Sequence, residues 1–197
     1  MPSSEPQQAA LSPPGVLNIA NALTALRLGL VPVFVAALLA GGTGWRITAF
    51  AVFLAASLTD LLDGKIARQR GLITDFGKIA DPIADKALTG AALVTLSAQG
   101  ALAWWVTCVI LIREVAVTAL RFWVIHRGVI AASRGGKAKT LLQVIAIALF
   151  VLPGPPEIAR DLVMGAAVAV TLVTGVDYGV RAIRLRRRPM PAGGAGQ

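Results

Sequence analysis

Asp60, Asp63, Asp81 and Asp85 stand in one short window of a very apolar chain, Ser57-Leu-Thr-Asp60-Leu-Leu-Asp63-Gly64-Lys-Ile-Ala67-Arg68 followed by Gly77-Lys-Ile-Ala-Asp81-Pro-Ile-Ala-Asp85. On a helix, residues three or four apart share a face. Two helical ends can therefore each present two carboxylates toward a common point. A carboxylate at the centre of a membrane helix costs roughly 2.5–3.5 kcal/mol on insertion scales, so four together imply cations. Hard ions such as Mg²⁺ take several oxygen ligands and share them with substrate phosphates. Two such ions can clamp the attacking and leaving oxygens of a phosphoryl displacement. Gly64 leaves room for close approach to the backbone, and Arg68 offers a planar donor suited to phosphate. Taken singly, Asp60 reads equally well as a solvated helix end. Asp81 before Pro82 reads as an N-cap with proline at the first helical position. Neither simple reading accounts for all four aspartates with Gly64, Arg68 and Gly77 at fixed offsets.

The elements that must hold this window are membrane helices. The chain has 197 residues, 56% apolar and 15% charged, with a mean hydropathy of +0.72. A soluble domain carries about 25% charged residues. Six apolar segments are expected near 22–40, 47–62, 83–98, 104–125, 141–152 and 162–183, against the ~20 residues a spanning helix needs. The second, third and fifth are short and lengthen only by recruiting polar flanks, which sets the aspartates at the ends of helices two and three. The expected fold is an all-α integral membrane protein with six transmembrane helices. Residues 1–16 are expected to be a mobile tail, 17–184 the membrane domain and 185–197 a basic, disordered tail.

Loop charge sets the orientation. Arg46 lies between helices one and two, and Arg160 precedes helix six. The other connections are rich in base: Lys65, Arg68, Arg70, Lys78 and Lys86; then Arg127, Arg134, Lys137 and Lys139; then Arg184, Arg186, Arg187 and Arg188. The positive-inside rule puts both termini and the aspartate window on the cytoplasmic side. Trp45, Trp104 and Trp105 fall at the opposite interface, where an aromatic belt belongs. The formal charge of +9 follows from this asymmetry and from attraction to anionic headgroups, not from nucleic acid. The single cysteine, Cys108, makes no intramolecular disulfide or Cys-based zinc site and is expected to be a buried thiol. Residues 1–14 lack the basic region of a cleaved signal, and no apolar core follows before Leu17.

The run Asp60-x2-Asp63-Gly64-x2-Ala67-Arg68-x8-Gly77-x3-Asp81-x3-Asp85 resembles the signature of the CDP-alcohol phosphotransferase family at every defined position. The flanks Leu17-Asn-Ile-Ala-Asn21-Ala-Leu-Thr24-Ala-Leu-Arg27, Ile112-Arg113-Glu114, Ala119-Leu-Arg121 and Gly136-Lys137-Ala-Lys139-Thr140 are similar to its phosphatidylglycerophosphate synthase branch, above all to actinobacterial members. The resemblance spans 17–184. It implies six membrane helices, a homodimer in the bacterial plasma membrane and an active site opening at the cytoplasmic face. It implies transfer of a phosphatidyl group from CDP-diacylglycerol to sn-glycerol 3-phosphate, with release of CMP. It implies two divalent ions, Mg²⁺ or Mn²⁺, on Asp60, Asp63 and Asp81. Asp85 would be the general base and would also touch the second metal. Gly64, Ala67, Arg68 and Gly77 would line the CDP site.

A second cluster bears on the acceptor. Arg113 and Arg121 lie eight residues apart in an apolar helix, loosely on one face, and Lys137 and Lys139 open the next. Buried arginine is a suitable fork for the phosphate of glycerol 3-phosphate. The competing reading pairs Arg113 with Glu114 or a neighbouring carboxylate and lets Arg121, Lys137 and Lys139 snorkel to headgroups. Asn21, Thr24 and Arg27 form a polar stripe on helix one that suits contact with the nucleotide and, equally, helix capping or contact with headgroups. Trp123 reads as an interfacial anchor, His126 as a surface residue. Asp177 and Arg181 are four apart and can pair. Two other functions compete: a different acceptor within the family, such as inositol phosphate, and a small cation transporter. Transporters hold ions near the bilayer midplane, away from lysine and arginine, unlike this window.

Overall fold

The computed structural model describes residues 19–70, 75–124 and 134–187. They form α1 (Ile19–Ala40), α2 (Gly42–Arg70), α3 (Asp75–Ala98), α4 (Trp104–Val124), α5 (Arg134–Val151) and α6 (Glu157–Arg187). All regular structure among the described residues is helical. Each apolar segment expected from the sequence is one of these helices, but α2, α3 and α5 run well into polar sequence.

Packing divides the helices into two groups of three. α1 packs heavily on α2 and α3, while α6 packs on α4 and α5. Contacts of α2 with α5, and of α3 with α4 and α5, join the groups. The core runs through both and includes Phe34, Leu38, Phe53, Leu93, Leu96, Ile110, Ile147 and Val151, all buried. Phe34 and Phe53 lock α1 to α2 with ring centroids 5.7 Å apart. The outer surface is apolar as well: Ile112, Val115, Ile158, Leu162, Val173 and Val176 are each more than 65% exposed. So extensive an exposed apolar surface fits a lipid environment. Among the described residues, Ala22–Ala40 and Glu157–Arg186 are long and apolar enough to cross a bilayer.

One end of the bundle is closed by three short turns. Gly41 and Gly42 reverse the chain between α1 and α2 at φ +71° and +74°, a region that L side chains avoid. Side chains then tie off the helix ends, whose last carbonyls have no partner within the helix. Gln99 donates to the Leu38 carbonyl at 2.8 Å, setting the end of α3 beside that of α1. Arg46 donates from Nε to the Val151 carbonyl at 3.1 Å and from Nη2 to that of Phe150. Its charge also complements the negative end of the α5 dipole. Ser97 and Thr107 share a buried hydrogen bond of 2.7 Å between α3 and α4. Trp45, Trp104 and Trp105 are exposed at this turn end, as an interfacial belt requires.

Several expectations are corrected. Arg46 is not a loop residue: it lies in the second turn of α2 and caps α5. Arg160 belongs to the first turn of α6, and Arg134, Lys137 and Lys139 belong to α5. Cys108 is exposed, not buried, because its position faces outward on α4 rather than into the core. Helix α6 extends to Arg187. Residues 1–18, 71–74, 125–133 and 188–197 lie outside the described residues, and with them both outer tails, Arg127 and His126.

Candidate active site

The aspartates lie within helices rather than at their tips. Asp60 and Asp63 belong to α2, which continues to Arg70, and Asp81 and Asp85 belong to α3, which begins at Asp75. Asp81 is therefore not an N-cap, and Pro82 sits inside the helix. At 1.5 Å per residue, Asp60 and Asp63 are roughly 27 and 31 Å along α2 from the turn end. Asp81 and Asp85 are roughly 25 and 20 Å along α3 from the same end. The two helices thus carry their acidic positions at neighbouring depths, remote from the three turns. Gly64, Ala67 and Arg68 follow on α2, and Gly77 precedes on α3. The side chains of Asp60, Asp63, Asp81, Asp85, Arg68, Arg121, Lys137 and Asn21 lie outside the described residues. On chemistry the donor set suits a hard divalent cation: four carboxylate positions on two helices, with no soft ligand among them.

The basic cluster is resolved in detail where it involves Arg113 and Lys139. Arg113 of α4 gives one N–H from each nitrogen: Nη1 to Glu114 Oε1 at 3.0 Å, Nε to the Thr171 carbonyl at 3.2 Å and Nη2 to Thr174 Oγ1 at 2.9 Å. Lys139 of α5 donates from Nζ to the same Glu114 oxygen. The side chains of Arg113, Lys139 and Glu114 are 14%, 8% and 20% exposed, so this ion triad is largely withdrawn from solvent. The backbones of α4 and α5 scarcely touch; the Lys139–Glu114 pair bridges the space between them. Along their own helices Arg113 and Lys139 lie roughly 14 and 18 Å from the turn end, nearer to it than the aspartates.

The pairing of Arg113 with Glu114, one of the two readings open from sequence, is present. Arg113 is also packed into α6: a Cβ on Gly175 would come within 3.1 Å of its Cγ and 3.3 Å of its Nε. Gln143, one turn beyond Lys139 on the same α5 face, is 3% exposed, and its Oε1 meets no donor among the described residues. The Thr171 hydroxyl is likewise buried without a described partner. Buried polar atoms of this kind call for a water or a ligand. Sequence reasoning passes over Thr171, Thr174, Gly175 and Gln143. Their one signal is the spacing of small and polar residues by three and four in apolar helices.

Elsewhere, Thr24 and Arg27 of α1 are both buried, 1% exposed each. Arg181 donates to Asp177 at 3.0 Å, as their spacing predicts. Trp123, read as an anchor, carries the Arg186 guanidinium 3.7 Å over its ring, linking the far ends of α4 and α6.

The profile of a family described as CDP-alcohol phosphatidyltransferase matches residues 17–173. The chain belongs to that family. A Mycobacterium tuberculosis protein named "Probable phosphatidylglycerophosphate synthase" is 54% identical over 174 residues, covering 86% of this chain and 83% of that protein. A Bacillus subtilis protein named CDP-diacylglycerol–glycerol-3-phosphate 3-phosphatidyltransferase is 36% identical, over 83% of this chain and 94% of its own length. A Pectobacterium atrosepticum protein of the same name is also 36% identical, over 81% and 87%. The family match takes in α1 to α5 and the part of α6 that carries Thr171. As a CDP-alcohol phosphatidyltransferase, the chain has its acidic and basic clusters inside a bundle organised for one type of group transfer.

Proposed function

We propose that this chain transfers the phosphatidyl group of CDP-diacylglycerol to sn-glycerol 3-phosphate, giving phosphatidylglycerophosphate and CMP. The observation that carries the reading is the unbroken acidic signature from Asp60 to Asp85 within the family match. The names of the bacterial relatives support the choice of reaction and substrates.

Asp60, Asp63, Asp81 and Asp85 are the residues that would hold two divalent ions, Mg²⁺ or Mn²⁺. Bound there, the ions would supply charge neutralisation for the diphosphate. The chain's own part is to orient and to move a proton. Asp85 accepts the proton of the acceptor's hydroxyl at hydrogen-bond distance. The hydroxyl oxygen bonds to the phosphatidyl phosphorus, the bond to the CMP oxygen breaks, and CMP leaves with the electron pair. Gly64 and Gly77 let the diphosphate approach the backbone closely, Ala67 keeps that wall small, and Arg68 donates to the phosphates. Asn21 and Thr24 are the α1 positions assigned to the nucleotide side. Arg113, Arg121, Lys137 and Lys139 receive the acceptor phosphate.

The protein is assigned to the bacterial plasma membrane as a homodimer with six spans, both termini and the aspartates at the cytoplasmic face. Basic residues around the aspartate window support that orientation. The diacyl tails then stay in lipid while the headgroup meets a soluble acceptor. Purified protein incubated with CDP-diacylglycerol, Mg²⁺ or Mn²⁺ and a set of alcohols tests the proposal through CMP release. Release with glycerol 3-phosphate is expected. Release only with inositol phosphate or another alcohol would replace the acceptor, and metal flux into proteoliposomes without CMP would replace the reaction.

A further inference from the structure

Two cations from different helices converge on a single atom. Arg113 and Lys139 both donate to Oε1 of Glu114, in a largely desolvated space between α4 and α5. Without a carboxylate there, the two like charges would repel across the distance of two hydrogen bonds. Lys139, on a flexible stem, would turn away. Arg113 is held from two further sides by Thr171 and Thr174. Its side chain lies against Gly175, where even one added carbon would press on it. A guanidinium carries five N–H groups and an ammonium three. Three of the first and one of the second are engaged by described partners, so the donors of each cation outnumber its described acceptors.

We propose that Glu114 is a positioning residue for the acceptor phosphate, its carboxylate fixing Arg113 and Lys139 side by side, and that Gly175 is the notch in α6 that admits Arg113. This rests on the acceptor assignment above. Glu114 does not touch the acceptor; its own charge would oppose a phosphate, so its benefit is the geometry that it imposes on the two cations. Gly175 acts on the same geometry by shape alone. A substitution that changes no charge should therefore reproduce part of the effect of one that does.

The test measures CMP release by the full-length protein while glycerol 3-phosphate and CDP-diacylglycerol are titrated separately. Glu114→Gln and Gly175→Ala should each raise the KM for glycerol 3-phosphate about tenfold, the scale of one charge-assisted hydrogen bond. The KM for CDP-diacylglycerol should stay within about twofold, since that substrate is not bound by this triad. Glu114→Asp should recover part of the loss. In a Lys139→Met background, Glu114→Gln should raise KM by a smaller factor than in the wild type, because one of the two contacts it makes is already gone. Alanine favours a helix over glycine, so Gly175→Ala should raise KM without lowering the melting temperature. An unchanged or lowered glycerol 3-phosphate KM in Glu114→Gln would overturn the positioning role. A parallel rise of both KM values with a falling melting temperature would also overturn it, leaving a purely structural one. Wild-type protein that releases no CMP with glycerol 3-phosphate would overturn the acceptor assignment itself and this inference with it.

Discussion

The acidic positions of α2 and α3 come from two short stretches of chain, each repeating within a turn of its own helix. The basic triad of α4 and α5, with its α6 supports, comes from residues 25, 58 and 61 positions apart. In the first region, spacing along one helix already brings like charges onto a shared face. A bound cation would offset their mutual repulsion. In the second, opposite charges meet across helices and satisfy one another before any ligand binds. On the proposed function, one region would take its neutralising charge from bound ions; the other is neutralised in part from within. A reaction between a diphosphate and a phosphorylated alcohol suits that division.

The contrast can be broken by experiment. If the acidic region holds the reacting centre, chelation should reduce CMP release to background, and added Mg²⁺ or Mn²⁺ should restore it. Asp85→Asn should lower kcat by about a thousandfold, the middle of the range for loss of a general base, while metal-dependent binding of CDP-diacylglycerol persists in a filter or fluorescence assay. Retained turnover would remove Asp85 as the base. If the basic region serves the acceptor alone, Lys139→Met should raise the glycerol 3-phosphate KM about ten- to a hundredfold, with the CDP-diacylglycerol KM little changed. Equal effects on both substrates would merge the two regions into one site. Arg46→Met, far from both, should cost about 2 kcal/mol of stability, read as a lowered melting temperature with both KM values intact. Asp177→Asn breaks an exposed i,i+4 pair. It should change stability by no more than about 0.5 kcal/mol and leave kinetics alone; a larger loss would bring that pair into the functional end of α6.

The same division explains what could be read from the chain. Helices α1 and α6 stand out because their apolar runs are long. Helices α2, α3 and α5 look short because hydropathy stops where aspartate, lysine and arginine begin, although the backbone stays helical through Asp60, Asp63, Asp81 and Lys139. Proline misleads for the same reason. Pro82 resembles a helix start, yet the helix begins at Asp75. The acidic signature is legible because it is local. The Arg113–Glu114 neighbours are visible too, but Lys139, Thr171 and Thr174 join them only through packing between helices distant in sequence. Arg46 shows the limit of loop charge as a guide. Its carbonyl partners sit 104 and 105 residues away, and nothing in its own neighbourhood announces them.

The ties at the turn end have a mechanical side. Arg46 pins α2 to α5, and the Ser97–Thr107 bond pins α3 to α4, so two polar links between the two groups of helices lie near one end. The aspartates stand well down α2 and α3 from that end. Such an arrangement behaves as tongs do. With arms of about 30 Å, each degree of splay about the pinned end displaces the free end by roughly half an ångström. A few degrees would shift the acidic positions against the basic ones by more than the tolerance of a hydrogen bond. On the proposed function, stiffness at the turn end would therefore bear on how well the substrates are aligned at the other.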